Sequence, residues 1–390
     1  MRVLISAAIV AAASFAELGD EVVAFVREQF YDATRAGAWA ERHAGYGADA
    51  SSDAQFAALT NRLLGELRAS HTYYYPLDDP RNAELRAIFR HALETQHVHR
   101  EGIGADFACG EGGCFVRQLF AGGPAQAAGL LRGDLVVKAG GAPFVPGRAF
   151  EGRAGENVTL EIRRQRDGPL RQVTLVPRRT DPSEEWVAAE IQGTTTTSRG
   201  GRTIAYVPIF SCAGDEPREA LADAIERHAA AQALVVDFRN GWGGCNPDFV
   251  DLFCGAAPEL ISIARDGERS TFLRHWRKPL VLLVNGGTRS GKEIVAHAVR
   301  KHRLGVVVGE RTAGAVLAGK IFVLSNDAVL LLAAADVLVD GERLEGIGVE
   351  PDVAVPDRLE FAAGADPQLE RALALAAELA TNSAKPAQAR

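Results

Sequence analysis

The chain has 390 residues, of which 47% are hydrophobic and 24% are charged, with 40 glycines and 17 prolines. This is the composition of a globular protein, and the length predicts two or three domains. The net charge of −7 argues against a nucleic-acid-binding protein, because neutralising phosphates requires a basic surface. After the first residues, no stretch reaches the ~18 apolar residues that a membrane-spanning helix needs.

Residues 1–16 combine one positive charge, an apolar run and the ending Ser14-Phe15-Ala16. This pattern favours a secretory signal peptide cleaved before Glu17. The protein is therefore predicted to be exported, to the periplasm or to the extracellular medium. The alternative is an ordinary first helix of the fold.

Five cysteines are too few and too irregularly spaced for a zinc site or a disulfide framework. Cys109 and Cys114 flank Gly-Glu-Gly-Gly and could close a small hairpin loop in an oxidising compartment. For Cys212, Cys245 and Cys254, burial as small hydrophobic side chains is at least as good an interpretation. The odd count leaves at least one thiol free.

Residues 17–98 are predicted to form an N-terminal helical domain. Leu18, Val22, Val26 and Phe30 recur at a four-residue step, which is the spacing of one face of a helix. A second helix with a similar repeat ends at residues 70–72, just before three consecutive tyrosines.

Residues 99–180 alternate short strands with glycine turns, and a short helix is predicted to begin at Pro124. The segment resembles a PDZ domain of the bacterial protease type. Such a domain captures an extended peptide as an added strand, and the backbone N–H groups of Gly102, Ile103 and Gly104 are the predicted nest for its terminal carboxylate. The alternative is a small β-barrel that only packs between the other domains.

Residues 186–363 have the pattern of an α/β core, in which six apolar segments are predicted as buried strands and two amphipathic segments as helices. The strands are 203–210, 233–238, 280–284, 305–308, 321–324 and 329–333, and the helices are 216–231 and 291–300. Residues 364–390 are predicted to form a C-terminal helix and a disordered tail.

Two glycine-rich turns follow buried strands in this core. The loop that contains Gly243 and Gly244 lacks the lysine and hydroxyl of a phosphate-binding loop, so an oxyanion-holding loop fits better. In the second turn, Ser290 lies where a helix begins, beside free N–H groups and the positive end of the helix dipole. Taken alone, Ser290 is better explained as a helix N-cap.

The order of motifs behind the PDZ-like segment resembles the carboxyl-terminal processing protease family, the S41 peptidases. The matching segments are 237–244, the turn with Ser290 three residues before Glu293, 309–312 and 345–352. The resemblance spans nearly the whole chain. It implies a multidomain α/β fold with N-terminal helices, a PDZ-like domain and a crotonase-like (ClpP-like) protease core.

One position departs from the Ser–Lys branch of that family, because Ala315 stands where the branch has its lysine base. Another branch, typified by the tricorn core protease and CPAF, uses serine, histidine and glutamate. The resemblance to this branch implies Ser290 as nucleophile, His71 as general base and Glu345 as the carboxylate that orients it. Ser70, which precedes the histidine, is expected to help position that carboxylate.

The expected chemistry is that of a serine triad, in which an imidazole of ordinary pKa ~6.5 accepts the hydroxyl proton near neutral pH. The backbone N–H groups of Gly291 and Gly244 are predicted to hold the oxyanion, with Gly243 as the alternative to Gly244. Two further glutamates, Glu293 and Glu310, are alternatives for the orienting carboxylate.

The sequence therefore predicts an exported serine endopeptidase that cleaves polypeptides whose C-terminal ends the PDZ-like domain presents. No metal, organic cofactor, nucleic acid or stable membrane span is expected. Two alternatives remain: a non-catalytic peptide-binding scaffold, and a Ser–Lys protease that recruits Lys320 or Lys292. His71 is essential only under the first interpretation.

Overall fold

The computed structural model describes residues 13–94, 97–254, 260–266, 268–272 and 274–383. It has a mixed α/β fold, as predicted, and divides into two compact units. Unit 1 comprises Met1–Arg86 and Leu317–Asp336, and unit 2 comprises Ala87–Val316 and Val337–Arg390. The domain boundaries predicted from the sequence remain predictions, but the units group residues 317–336 with the N-terminal helices.

Most of the predicted signal segment, residues 1–12, lies outside the described residues. The first described helix, Phe15–Gln29, is capped by Ser14, whose hydroxyl accepts from the Glu17 N–H while the Glu17 carboxylate accepts from the Ser14 N–H. The predicted cleavage point before Glu17 therefore falls inside the first turn of this helix.

Unit 1 packs helices against a three-stranded antiparallel sheet. Its helices are Phe15–Gln29, Ala33–Arg42, Tyr46–Asp49 (3₁₀), Asp53–Gly65 and the start of Pro80–Ile88. The strands of its sheet lie in the order Tyr73–Tyr75, Val329–Ala335, Ala318–Val323. The two apolar segments near residues 320 and 330 are strands, as predicted, and they lie in unit 1. Their assignment to the protease core stays a prediction. They form a hairpin that buries Leu330 and Leu332 against the apolar face of the first helix.

Unit 2 begins with the segment predicted to be PDZ-like. Five strands form its sheet in the order Ala105–Gly110, Gly113–Leu119, Leu135–Ala139, Val158–Arg163, Leu170–Leu175, and Ala142–Pro143 pairs with the third of them. The strands Arg100–Gly102 and Arg178–Thr180 pair separately, and a short helix spans Pro124–Ala127. A disulfide joins Cys109 to Cys114 across the first hairpin, as the sequence suggested.

The rest of unit 2 is built on a six-stranded sheet. Its order is Thr195–Arg199, Arg202–Pro208, Ala233–Asp237, Leu280–Val284, Val306–Gly309, Val353–Ala354, with the first pair antiparallel and the others parallel. Alternate strand residues point to opposite faces. Helices Glu216–Arg227 and Gly291–Lys301 therefore bury Leu234 and Val236 on one face, while helix Pro367–Ser383 buries Val235 on the other.

The remaining elements lie around this three-layer core. They are helices Pro182–Gly193, Pro247–Val250 (3₁₀) and Asp251–Cys254, and the hairpins Leu260–Ile263 with Arg269–Phe272 and Leu338–Val339 with Glu342–Arg343. The C-terminal helix runs to Ser383, and the predicted disordered tail beyond it lies outside the described residues. None of the helices in the described ranges has the length and apolarity to span a bilayer.

Candidate active site

Ser290 lies in the turn between the buried strand Leu280–Val284 and the helix Gly291–Lys301, as predicted. Its backbone has φ +57°, a left-handed conformation that costs free energy for a residue other than glycine. The turn is fixed by Thr288, whose hydroxyl accepts from the Asn285 N–H at 3.0 Å and donates to the Phe238 carbonyl at 3.0 Å. Strain of this kind is common at functional sites.

Glu293 organises the backbone around Ser290. Its buried carboxylate accepts from the Thr312 hydroxyl at 2.6 Å and from the N–H groups of Gly314 and Ala315 at 2.7 and 2.8 Å. It also accepts from the Ser290 N–H at 3.2 Å. Burial raises the pKa of Glu293, although these four donors oppose the shift. With so many partners, Glu293 holds the loop together and is poorly suited to orient a histidine.

Ala315, which stands in place of the lysine base of the Ser–Lys branch, lies beside Ser290. Its carbonyl oxygen accepts from the Ser290 N–H at 2.8 Å. A methyl side chain has no proton acceptor, so this position supplies no base here. Glu310, the other alternative carboxylate, accepts from the Asp357 N–H at 3.1 Å.

The glycine loop, residues 238–245, lies directly against Ser290. A Cβ atom on Gly243 would lie 2.5 Å from the Ser290 Cβ, and one on Gly291 would lie 2.5 Å from the Cys245 nitrogen. Only glycine allows the two backbones to approach this closely. The predicted oxyanion donors, Gly244 and Gly291, therefore belong to two segments that touch, which is the arrangement that two convergent N–H groups require.

Lys292 is fully buried on the first turn of the same helix. Its ammonium donates to the carbonyl oxygens of Ile209 at 2.7 Å, Asn240 at 2.9 Å and Phe210 at 3.2 Å. Burial lowers its pKa to about 7, and the nearby carboxylates of Glu190 and Asp237 oppose that shift. An ammonium whose three N–H bonds are all directed at carbonyl oxygens is an anchor rather than a general base.

A disulfide between Cys212 and Cys245 ties the glycine loop to the loop that follows strand Arg202–Pro208. Cys212 and Cys245 are buried, as the sequence interpretation proposed, but that interpretation did not predict the disulfide between them. The Cys212 N–H donates to the Gly243 carbonyl at 3.1 Å, so backbone and disulfide join the same two loops. The remaining cysteine, Cys254, is free, as the odd count required, but its side chain is exposed, so its interpretation as a buried hydrophobic residue is wrong.

Glu345 lies in the loop between the hairpin strand Glu342–Arg343 and strand Val353–Ala354. Its carboxylate accepts from the Val316 N–H at 2.8 Å. The next residue, Gly346, donates its N–H to the Gly314 carbonyl at 2.8 Å. The Glu345 loop is thus hydrogen-bonded along the segment that also contacts Ser290.

Ser70 and His71 lie in unit 1, in the turn before strand Tyr73–Tyr75. The Ser70 hydroxyl is 2.9 Å from Nδ1 of His71, and His71 has φ +52°. A Cβ atom on Gly319 would lie 3.1 Å from the His71 Cδ2, so the glycine leaves space for the imidazole. Lys320, the next residue on that strand, is exposed. Of the predicted catalytic and oxyanion-hole residues, four (Ser290, Glu345, Gly291 and Gly244) thus belong to unit 2, and two (Ser70 and His71) belong to unit 1.

The predicted carboxylate nest lies where the PDZ-like sheet meets its short helix. Ile103 is buried, and its carbonyl accepts from the Ala125 N–H at 2.8 Å. Gly104 has φ +69° and its Cα packs against Gly123, where a side chain would clash. Gly102 pairs with Arg178 at the end of its strand.

Among the described residues, His97, Asp181 and Glu184 offer ligand atoms that all lie within 4.8 Å of one another. The Asp181 carboxylate, however, accepts from the Arg90 guanidinium at 3.1 Å and from the N–H of Ser183 at 2.9 Å. A carboxylate already paired with an arginine and capping a helix is a poor ligand for a cation. This cluster therefore does not alter the expectation that no metal takes part.

The chain is similar to several known proteins. Residues 203–355 match the family model described as peptidase family S41. A tricorn protease homolog of Streptomyces coelicolor is 28% identical over 84% of this chain and 29% of its own length. The carboxyl-terminal-processing protease of a Synechocystis species is 27% identical over 65% of this chain and 63% of its own length. The chain thus spans less than two thirds of these relatives.

Solved structures show the same fold. A photosystem II D1 C-terminal processing protease has a TM-score of 0.52 and 22% identity, with 91% of this chain and 99% of the other covered. The tricorn protease has a TM-score of 0.57 and 20% identity, with 94% of this chain and 37% of the other covered. Residues 203–355 are therefore similar to peptidase family S41, and the chain has the fold of these solved proteases.

Proposed function

We propose that the protein is a serine endopeptidase that uses Ser290 as nucleophile, His71 as general base and Glu345 as the carboxylate that orients the base. The observation that carries this proposal is the conformation of Ser290, which has φ +57° at the start of a buried helix and lies against the glycine loop. A serine that only caps a helix needs neither a left-handed backbone nor a second backbone packed against it.

In the proposed reaction, Oγ of Ser290 attacks the scissile carbonyl carbon while His71 accepts the hydroxyl proton. The carbonyl oxygen becomes an oxyanion, to which the N–H groups of Gly291 and Gly244 donate. Collapse of this intermediate breaks the C–N bond, and His71 returns the proton to the leaving amine. Water then attacks the acyl-enzyme with the same proton transfers, which releases the new carboxyl end and restores the Ser290 hydroxyl.

Histidine is favoured over lysine as the base by the surroundings of three residues. Ala315 has no basic group, and the ammonium of Lys292 donates to three carbonyl oxygens. The ring nitrogen Nδ1 of His71, by contrast, lies at hydrogen-bond distance from the Ser70 hydroxyl. A partner on one ring nitrogen selects the tautomer, which is what a general-base histidine needs.

We further propose that the PDZ-like segment presents the C-terminal ends of polypeptide substrates. In support, the PDZ-like segment contacts two loops of the candidate site. The Gln118 amide donates to the Arg239 carbonyl in the glycine loop at 3.3 Å. The Phe120 ring lies 4.7 Å from the Phe210 ring, which belongs to the loop after strand Arg202–Pro208. A peptide added to the sheet of the PDZ-like segment would lie within reach of the cleavage site.

Export to an oxidising compartment is also part of the proposal. Two disulfides, Cys109–Cys114 and Cys212–Cys245, support it, since such bonds persist in the periplasm and outside the cell and are rare in the cytosol.

The proposal is tested by digestion of unfolded casein with the wild type, Ser290→Ala and His71→Ala. His302→Ala is the matched control, because His302 is an exposed histidine at the end of the helix that Ser290 begins. We expect cleavage by the wild type and His302→Ala, and its loss in the other two. Cleavage that survives His71→Ala but not Ser290→Ala would indicate a lysine base, which Lys320→Ala would then test. Equal, background-level signals from wild type and Ser290→Ala would indicate a peptide-binding scaffold.

A further inference from the structure

Two loops meet at the buried ammonium of Lys292. Two of its acceptors, the carbonyls of Ile209 and Phe210, belong to the loop after strand Arg202–Pro208. The third, the carbonyl of Asn240, belongs to the glycine loop. Because Lys292 lies two residues after Ser290, this one side chain connects the turn of the nucleophile to both loops.

The opposite charge comes from Glu190 on helix Pro182–Gly193. Its Oε1 accepts from the N–H groups of Phe210 and Ser211 at 2.7 and 3.3 Å, so the peptide between Ile209 and Ser211 is held from both sides. Its Oε2 is buried and has no hydrogen-bond partner in the described part of the chain. Burial raises the pKa of Glu190 to about 8, and Lys292 opposes that shift.

Burying the charged side chains of Lys292 and Glu190 costs folding free energy. Desolvating each charge costs several kcal/mol, and replacement of such pairs by apolar side chains is often neutral or stabilising. Packing alone would therefore favour methionine or leucine at position 292, whose helical neighbours Val295 and Val299 are apolar and buried. What an ammonium supplies, and an apolar side chain does not, is three N–H donors for three carbonyl oxygens.

From this geometry we propose that Lys292 is a positioning residue: it holds the glycine loop against Ser290, so that the loop N–H group and the Gly291 N–H converge on one oxyanion. Lys292 does not touch the substrate in this proposal; it acts through the Asn240 carbonyl at the start of the loop. The inference rests on the proposed function, because it gives the loop its role in the reaction.

The test replaces Lys292 by methionine, which has nearly the same length and no donor, and compares it with Lys138→Met. Lys138 is a half-exposed lysine on the PDZ-like sheet, paired with Glu161. We expect Lys292→Met to lower kcat about 100-fold, the range seen when one oxyanion donor is lost, with KM changed less than about threefold. Lys138→Met should behave as the wild type.

A double variant, Glu190→Gln with Lys292→Met, separates positioning from charge balance. Removal of both charges relieves the unpaired Glu190 carboxylate, so the melting temperature should recover. If Lys292 positions the loop, kcat stays about 100-fold low in the double variant, because the three carbonyls still have no donor. Recovery of kcat to within about threefold of the wild type would overturn the proposal and leave Lys292 a structural role only.

Amide hydrogen exchange tests the anchoring by Lys292 without any measurement of peptidase activity, so this test does not depend on the proposed function. Lys292→Met should speed exchange in residues 209–213 and 238–245, whether or not the chain cleaves peptides, and unchanged exchange there would contradict the anchoring. Labelling of Ser290 by a fluorophosphonate, with Ser290→Ala as blank, reports the function itself. If the wild type is neither labelled nor active, but exchanges more slowly than Lys292→Met in these residues, the protease proposal is contradicted and the anchoring role of Lys292 is supported.

Discussion

The side-chain oxygen of Ser70 lies 2.9 Å from Nδ1 of His71. The sequence predicts that Ser70 helps to position a carboxylate, and this stays a prediction; the hydroxyl also contacts the imidazole itself. His71 has a left-handed backbone, and Gly319 leaves space beside its ring. Together these features determine how the imidazole is oriented within unit 1.

We expect Ser70→Ala to lower kcat about fivefold to tenfold, because a hydrogen bond to the ring contributes about 1 kcal/mol to its orientation. KM should change little, since Ser70 is not expected to bind the substrate. Ser70→Thr keeps the hydroxyl and serves as the matched control, with activity near that of the wild type. Equal kcat for Ser70→Ala and the wild type would show that the contact does not matter for the reaction.

Glu345 is expected to stabilise the imidazolium that forms during the reaction. Glu345→Gln retains an oxygen that can accept from the Val316 N–H, so the loop should keep its conformation while the charge is lost. By analogy with serine triads, kcat should fall roughly 10³–10⁴-fold. The control is Glu342→Gln on the hairpin strand that precedes this loop, where an exposed carboxylate pairs with Lys301. Less than a tenfold loss in Glu345→Gln would point to another carboxylate.

The central sheet and the Ser290 turn could be predicted from the sequence for a physical reason. Parallel strands buried on both faces are continuous apolar runs, so Leu280–Val284 is recognisable without knowledge of its partners. The glycines that follow such strands mark close backbone contacts, and Gly243 and Gly291 do lie against the opposite backbone. Local pattern was sufficient for these features.

Long-range pairing could not be predicted in the same way. Strand Tyr73–Tyr75 pairs with Val329–Ala335, and nothing local in either segment specifies a partner more than 250 residues away. The sequence does contain one indication of the role of Lys292. Its spacing to Val295 and Val299 places a charged residue on the apolar face of a helix. A charge on that face implies buried acceptors, but not which carbonyls supply them.

The Cys212–Cys245 disulfide should contribute more to stability than the Cys109–Cys114 disulfide, because it closes a separation of 33 residues instead of 5. Loop-closure entropy predicts a loss of about 3–4 kcal/mol in unfolding free energy for Cys212→Ser with Cys245→Ser, against about 2 kcal/mol for the other pair. Urea unfolding measures both. Cys254→Ser, which removes an exposed free thiol, should leave the unfolding free energy unchanged and is the control.

The buried pair Glu190 and Lys292 should make stability depend on pH in a specific direction. The pKa of Glu190 is raised by burial to about 8, so the folded state keeps its proton while the unfolded state loses it, and stability falls as pH rises from about 4.5 to 8. The pKa of Lys292 is lowered by burial to about 7, so the folded state releases its proton first, and stability rises again from about pH 7 to 10.5.

The contribution of the pair therefore passes through a minimum between about pH 7 and 8. The double variant Glu190→Gln with Lys292→Met lacks both titrations, so its unfolding free energy relative to the wild type should be highest near pH 7.5 and lower at pH 5 and pH 10. Urea unfolding at the three pH values measures this difference, in which titrations elsewhere in the chain cancel. A difference that is constant across the three would contradict the shifted pKa values and would mean that both groups stay charged in the folded state throughout.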